Sequence, residues 1–155
     1  MIHPQQLRSL IADTLRSINM YSESAVELLM LTAAQESHCG RWIGQVGGGP
    51  AQGIFQMEPA TLHDLWTNFL KYRKDESMPA KRIFTQHYLR NAELNLRGNM
   101  IFQIVAARLQ YYRFPAALPP ADDVNALAAY YKQYWNTSKG AATVQEAITN
   151  YGKYA

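Results

Sequence analysis

The sequence is poor in cysteine and strong charge, and it has no long hydrophobic run. Its single cysteine excludes a disulfide framework, and it excludes zinc or iron–sulfur sites that need several thiolates. No apolar stretch approaches the roughly 18 residues that indicate a membrane span. The 15 lysines and arginines exceed the 12 acids by only three charges. This excess does not by itself indicate a nucleic-acid partner, although it suits an anionic polymer.

The first eight residues lack the positive-then-apolar layout of a signal peptide. We therefore expect synthesis in the cytoplasm, and any action outside would need another route of export. With 155 residues, of which 48% are hydrophobic, the chain predicts one folded domain over residues 1–155.

Helical periodicity dominates the chain, so the predicted fold class is mainly α. Apolar residues recur at helical spacing in seven segments. These segments begin near Pro4, Ser24, Pro59, residue 79, Asn99, Asp122 and Thr143. The stretch 79–97 is irregular, and Ser24 with Glu27 and Thr143 with Glu146 have the spacing of capping boxes. Glycines punctuate residues 42–57, which predicts a small irregular segment with short paired strands.

Glu36 lies on the apolar face of the second predicted helix, three residues after Ala33 and seven after Leu29. Burial disfavours its charged form, and so does the negative end of the helix dipole, because Gly40 predicts that the helix ends nearby. Both effects raise its pKa, as a general acid requires near neutral pH. The alternative is an ordinary helix-forming glutamate at a solvent-exposed helix end.

The segment 47–59 follows, and its glycines allow sharp turns and a close approach of the backbone to a ligand. Gln56 offers both a donor and an acceptor, which together can hold a substrate amide. The alternative is a plain glycine-rich turn before the next helix, in which Glu58 starts that helix and complements its dipole.

Two motifs carry a resemblance to a known family. The pair Glu36-Ser37, followed by Ala51-Gln52-Gly53-Ile54-Phe55-Gln56 and then Pro59 and Thr61, resembles the soluble lytic transglycosylases and goose-type lysozymes. Ala128-Ala129-Tyr130 resembles the family's later Ala-x-Tyr-Asn motif, although Tyr131 stands where the asparagine is usual. The resemblance covers roughly residues 22–135 and implies a single lysozyme-like domain.

The resemblance also implies roles for individual residues. Glu36 matches the catalytic acid, and Ser37 matches a serine that helps to hold the substrate or the acid. Gln56 matches a glutamine that contacts the substrate, and Tyr130 matches a tyrosine whose hydroxyl lies close to the catalytic carboxyl. Goose-type lysozymes carry an acid at the position that matches Glu58.

Sugar rings stack on flat side chains, so aromatic residues are candidates for the binding surface. Trp42 is the preferred one, because it adjoins the glycine-rich segment. Tyr131 and Trp135 lie on an apolar stripe and are predicted to belong to the core.

The expected function is cleavage of peptidoglycan glycan strands between N-acetylmuramic acid and N-acetylglucosamine, with Glu36 as general acid. In lytic transglycosylation the substrate's acetamido group assists and no second carboxylate is needed. In hydrolysis a second carboxylate activates water. Glu58 is the candidate for this second carboxylate, and we favour the hydrolytic route. We expect no cofactor, no metal, and a monomer.

Two other functions compete with this one. A catalytically inactive lysozyme-like module of a phage particle would share the motifs but lack turnover. A small helical nucleic-acid binder is disfavoured by the modest charge. For the lead hypothesis, the site of action is the bacterial cell wall or periplasm, and by analogy with phage lysis enzymes the protein could be carried on a virion.

Overall fold

Seven α-helices make up most of the protein, and the computed structural model describes residues 1–155. They are α1 (Pro4–Ser17), α2 (Glu23–Ser37), α3 (Pro59–Asn68), α4 (Met78–Gly98), α5 (Met100–Tyr112), α6 (Val124–Tyr131) and α7 (Val144–Tyr154). A short 3₁₀ turn, Leu70–Tyr72, follows α3, and a π-helical turn, Lys132–Asn136, follows α6. The prediction of a mainly α domain is confirmed.

The helix starts follow local chemistry. Pro59 occupies the first turn of α3, where its missing N–H costs nothing. Thr143 and Glu146 form the predicted capping box at the start of α7. The predicted capping box at the start of α2 is wrong. The cap there is Ser22, whose side chain accepts from the backbone N–H of Ala25, and Glu27 instead pairs with an arginine of α1.

The core is one continuous cluster centred on α2 and α5. α5 packs against α1, α2, α3 and α4, whereas α2 packs against α1, α5, α6 and α7. Almost every side chain of α5 between Phe102 and Tyr111 is buried. Polar contacts also lie inside this core, and in one of them the hydroxyls of Thr32 and Tyr111 are 2.8 Å apart. The outer helices therefore pack against two hydrophobic central helices, α2 and α5. The last turn of α2 forms part of the site described below.

The irregularity predicted near residues 79–97 is a kink in α4. Asn91 has φ −160° and ψ 87°, which breaks the helical path. Its side-chain carbonyl accepts from the backbone N–H of Leu94 at 3.0 Å, so it starts the second half of the helix as a cap would.

The predicted strands in residues 42–57 do not form. Only two isolated antiparallel bridges occur, Gly44 with Gln52 and Gln52 with Met57. Gly53 has φ +76°, and a Cβ there would lie 2.3 Å from the carbonyl oxygen of Leu96 and 2.4 Å from Oε1 of Gln103. The segment is thus pressed against the junction of α4 and α5, and it adopts turns where a regular strand would not fit.

None of the seven helices is both long enough and apolar enough to cross a membrane.

Candidate active site

A cleft of about 530 Å³ opens where four parts of the chain meet. These parts are the end of α2, the glycine-rich segment with the start of α3, the buried helix α5, and the π-helical turn after α6 with the residues that follow it. Its lining side chains are mostly polar, and they include two acids and no lysine or arginine. The lining residues are Glu36, Trp42, Gln45, Val46, Ala51, Gln56, Met57, Glu58, Thr61, Gln110, Trp135, Asn136 and Gly140. Four of the six residues predicted for the site therefore line one cleft: Glu36, Trp42, Gln56 and Glu58.

Glu36 lines this cleft from the last turn of α2. The helix ends there because His38 takes the left-handed conformation, with φ 49°. The Tyr131 hydroxyl donates to Oε1 of Glu36 at 2.6 Å, whereas Oε2 has no hydrogen-bond partner in the protein. Burial raises the pKa of Glu36 to about 7, and the hydrogen bond from Tyr131 opposes part of that rise. The carboxyl can therefore hold or release a proton near neutral pH.

Tyr131, and not Tyr130, is the tyrosine beside the carboxyl. The Tyr130 hydroxyl donates to the carbonyl oxygen of Ala116 at 2.9 Å, so the role assigned to Tyr130 is wrong by one residue. Successive residues on a helix point about 100° apart, and only one of the pair can face Glu36. Burial and the Glu36 carboxylate both raise the pKa of Tyr131, which keeps it a proton donor in this hydrogen bond.

Ser37 does not reach the cleft, so its assignment to substrate binding is also wrong. Its side chain is fully buried. The hydroxyl donates to the carbonyl oxygen of Ile54 at 2.6 Å and accepts from the backbone N–H of Gly40 at 2.8 Å. Ser37 is thus a tie between the end of α2 and the glycine-rich segment, and it holds the two walls of the cleft at a set spacing.

Gln56 lies on the wall formed by the glycine-rich segment. Its φ of 46° is unusual for a residue with a side chain, and strain of this kind is common at functional sites. Its amide nitrogen donates to the carbonyl oxygen of Gly53 at 2.8 Å. That bond fixes the side chain, and its oxygen remains free to accept a hydrogen bond from a ligand.

Glu58 is exposed and lies on the same wall, at the position before α3. It occupies the N-cap position of that helix, but its side chain makes no capping hydrogen bond. The carboxylate is therefore at the helix start, as the simpler interpretation predicts, and is also free to act within the cleft.

Two tryptophans flank the cleft. The indole N–H of Trp42 donates to the backbone carbonyl of Glu36 at 3.2 Å, which holds this ring at the end of α2. Trp135 was predicted to lie in the core, and its ring does pack on Tyr111 with centroids 5.2 Å apart. It also lines the cleft, because the π-helical turn departs from the spacing of 3.6 residues on which the prediction rested.

Gln110 is a cleft residue that the sequence did not indicate. It sits on α5 with only 9% of its surface exposed, and its oxygen accepts from Arg113 at 3.4 Å. A polar residue among the apolar positions of a buried helix was the available signal, because burial of an amide requires a partner.

The cysteine next to this site and the acidic and histidine side chains of the protein do not form a second reactive centre. Burial raises the pKa of the Cys39 thiol to about 11, so it is not a ready nucleophile. No group of three or more histidine, cysteine, aspartate or glutamate side chains is arranged to hold a metal ion.

Comparison of the chain with protein-family models, with curated proteins and with solved structures finds no match.

Proposed function

We propose that this protein is a glycosidase-type enzyme that cleaves peptidoglycan glycan strands between N-acetylmuramic acid and N-acetylglucosamine. The observation that carries the proposal is the Glu36 carboxyl, which is mostly buried, lines the cleft and has a pKa raised to about 7. Cleavage of a glycosidic bond needs a proton on the leaving oxygen, and a carboxyl group of this kind supplies one.

The hydrogen bond from Tyr131 orients the acid. Because Tyr131 donates to Oε1, the proton of the neutral carboxyl is best carried on Oε2, the oxygen without a protein partner. In this arrangement Oε2 presents its proton to the leaving oxygen of a bound sugar. Once the proton has left, the same tyrosine stabilises the carboxylate.

The cleft suits a chain of amino sugars. Trp42 and Trp135 provide flat faces on which the apolar sides of sugar rings stack. The free oxygen of Gln56 can accept from the N–H of an acetamido group. Polymer sites combine these two kinds of contact, because a sugar ring presents both apolar faces and polar edges.

Hydrolysis is the favoured route, with Glu58 as the second carboxylate. It is the only other acid in the cleft, it is exposed to water, and it is not engaged in capping α3. In this role Glu58 removes a proton from the attacking water while Glu36 protonates the leaving oxygen. In the lytic route the acetamido group assists departure of the leaving oxygen, which Glu36 protonates. The C6 hydroxyl of the same sugar then attacks the anomeric carbon and closes the 1,6-anhydro ring, the Glu36 carboxylate takes the hydroxyl proton, and Glu58 is not needed.

The test is release of soluble fragments from purified cell walls. We expect Glu36→Gln to lower the rate by roughly 10²-fold to 10⁴-fold, because general acid catalysis contributes about this much. Glu93→Gln is the matched control, since Glu93 is exposed on α4 and does not line the cleft. Equal rates for the wild type and Glu36→Gln would exclude the mechanism.

Product analysis separates the routes. Reducing ends that disappear in Glu58→Gln indicate hydrolysis, whereas 1,6-anhydro ends that persist in Glu58→Gln indicate the lytic route. A wild-type protein that binds several wall chemistries and cleaves none would be an inactive wall-binding module instead.

A further inference from the structure

A second cavity, of about 400 Å³, lies beside the C-terminal end of α5 and shares no lining residue with the cleft. Three arginines line it, Arg73, Arg108 and Arg113, and no acidic side chain does. Its remaining wall is aromatic and aliphatic and includes Phe69, Tyr112 and the loop 114–118. A cavity in which three cations meet without an acid has the polarity of an anion site.

The three guanidinium groups converge on two aromatic rings. Arg73 lies 5.0 Å from the ring centre of Phe69, and Arg113 lies 6.0 Å from the same centre. Arg73 and Arg108 lie 5.7 and 5.8 Å from the ring centre of Tyr112. Contact with these aromatic faces stabilises each cation.

Two of these arginines have acidic partners outside the cavity. Arg113 donates to Asp64 at 2.7 Å, and Arg73 pairs with Asp75. Even so, Nε of Arg73 is buried without a hydrogen-bond partner. An orphaned donor of a charged group is costly, and a ligand atom can satisfy it.

Arg108 has no acidic partner. Its only hydrogen bond is a long one, 3.4 Å from Nε to the carbonyl oxygen of Met20, so both of its terminal nitrogens are without protein acceptors. It is the one charged residue of α5, and burial lowers the pKa of its guanidinium. Its fork of donors is the geometry that binds a planar oxyanion through two hydrogen bonds.

From this arrangement we infer that the cavity is a binding site for a carboxylate attached to a small apolar group. Arg108 binds the carboxylate through its free nitrogens, and Arg73 adds a second cation and its unsatisfied Nε. The apolar group packs against the loop Pro115, Ala116, Ala117 and Leu118, which the Tyr130 hydroxyl holds in place through its bond to Ala116. Inorganic phosphate is also an anion, but it has no apolar group that could pack against this wall.

The experiment is an NMR titration of the arginine Nε–H signals at low ionic strength. The probes are N-acetylalanine, its uncharged amide, and inorganic phosphate. We expect saturable shifts of the Arg108 and Arg73 signals with the acid, a Kd in the millimolar range for so small a ligand, and no saturable shift with the amide. Added salt should weaken binding.

Arg108→Gln should weaken binding of the acid at least about tenfold, since it removes a charge-assisted pair of hydrogen bonds. Arg90→Gln is the control, because it makes the same charge change at an exposed position of α4. Equal binding of acid and amide, unchanged binding in Arg108→Gln, or tighter binding of phosphate than of the acid would each refute the assignment. The comparison of acid with amide uses the unmutated protein and decides the question even if Arg108→Gln fails to fold. The readout is independent of glycan cleavage.

Discussion

Replacing Glu36 by glutamine should stabilise the protein at high pH and leave its stability almost unchanged at low pH. Glutamine keeps the shape of the side chain and can still accept from Tyr131. The pKa of Glu36 is about 7 in the folded protein, against an ordinary value of 4.5. Between these values the folded state binds more protons than the unfolded state, so the stability of the wild type falls as the pH rises.

The size of the effect follows from the difference between the two pKa values. The difference of about 2.5 between the folded and the ordinary pKa corresponds to about 3.5 kcal/mol, at roughly 1.4 kcal/mol for a pKa difference of one. At pH 4 the wild-type carboxyl is largely neutral in both states and resembles the amide. Above about pH 8 it is ionised in both states, and the full cost of burying the charge appears. The advantage of Glu36→Gln at pH 8 should shift the unfolding temperature by roughly 10 °C for a domain of this size.

The assay is urea unfolding of both proteins at several values between pH 4 and pH 9, followed by tryptophan fluorescence. Glu58→Gln removes the same charge from an exposed position in the same cleft. The unfolding free energy of Glu58→Gln should differ from that of the wild type by about the same amount at every pH. If the difference between Glu36→Gln and the wild type does not change with pH, Glu36 is not a desolvated carboxyl, and the reasoning about the acid is wrong.

Three further variants test the surroundings of the acid. Tyr131→Phe should raise the pKa of Glu36 by roughly one unit, because it removes a hydrogen bond that favours the charged form, and carboxyl NMR titration measures this. Ser37→Ala should lower the unfolding free energy by about 1–3 kcal/mol, because the buried carbonyl of Ile54 and the partly buried N–H of Gly40 lose their partner. Gly53→Ala should cost about 3 kcal/mol or more, because it adds close contacts to a left-handed backbone.

Each variant has a matched control. Tyr130→Phe removes a hydroxyl that does not touch Glu36, so an equal pKa shift in this variant would contradict the role of Tyr131. Ser9→Ala changes an exposed serine of α1 and should be nearly neutral. Gly47→Ala also has a positive φ, 90°, but meets open space, and a cost as large as that of Gly53→Ala would show that close contacts are not the cause.

The helices were largely predictable because their signals are local. Pro59 and the Thr143–Glu146 capping box act through neighbouring residues of the same helix, and the structure confirms both. The start of α2 was less predictable, because Ser22 and Ser24 are both suitable caps. Glu27 was available for a capping box but pairs with Arg8 of α1, and such a distant contact is invisible to local patterns.

The candidate site was also predictable only where its signals are local. Glu36 could be singled out because its spacing from Leu29 and Ala33 places an acid on an apolar face, and its raised pKa agrees with that argument. The choice between Tyr130 and Tyr131 could not be made, because neighbouring residues differ only in the direction in which they point.

Periodicity within single segments was enough to predict that the chain is helical, that its core is hydrophobic, and that an acid at position 36 lies on the apolar face of its helix. It could not show which side chains meet that acid. The pairing of Glu36 with Tyr131 joins residues 95 positions apart. The position of Trp135 in the cleft depends on the π-helical turn after α6. Contacts between segments arise from how the helices pack, and no pattern within a single segment encodes them.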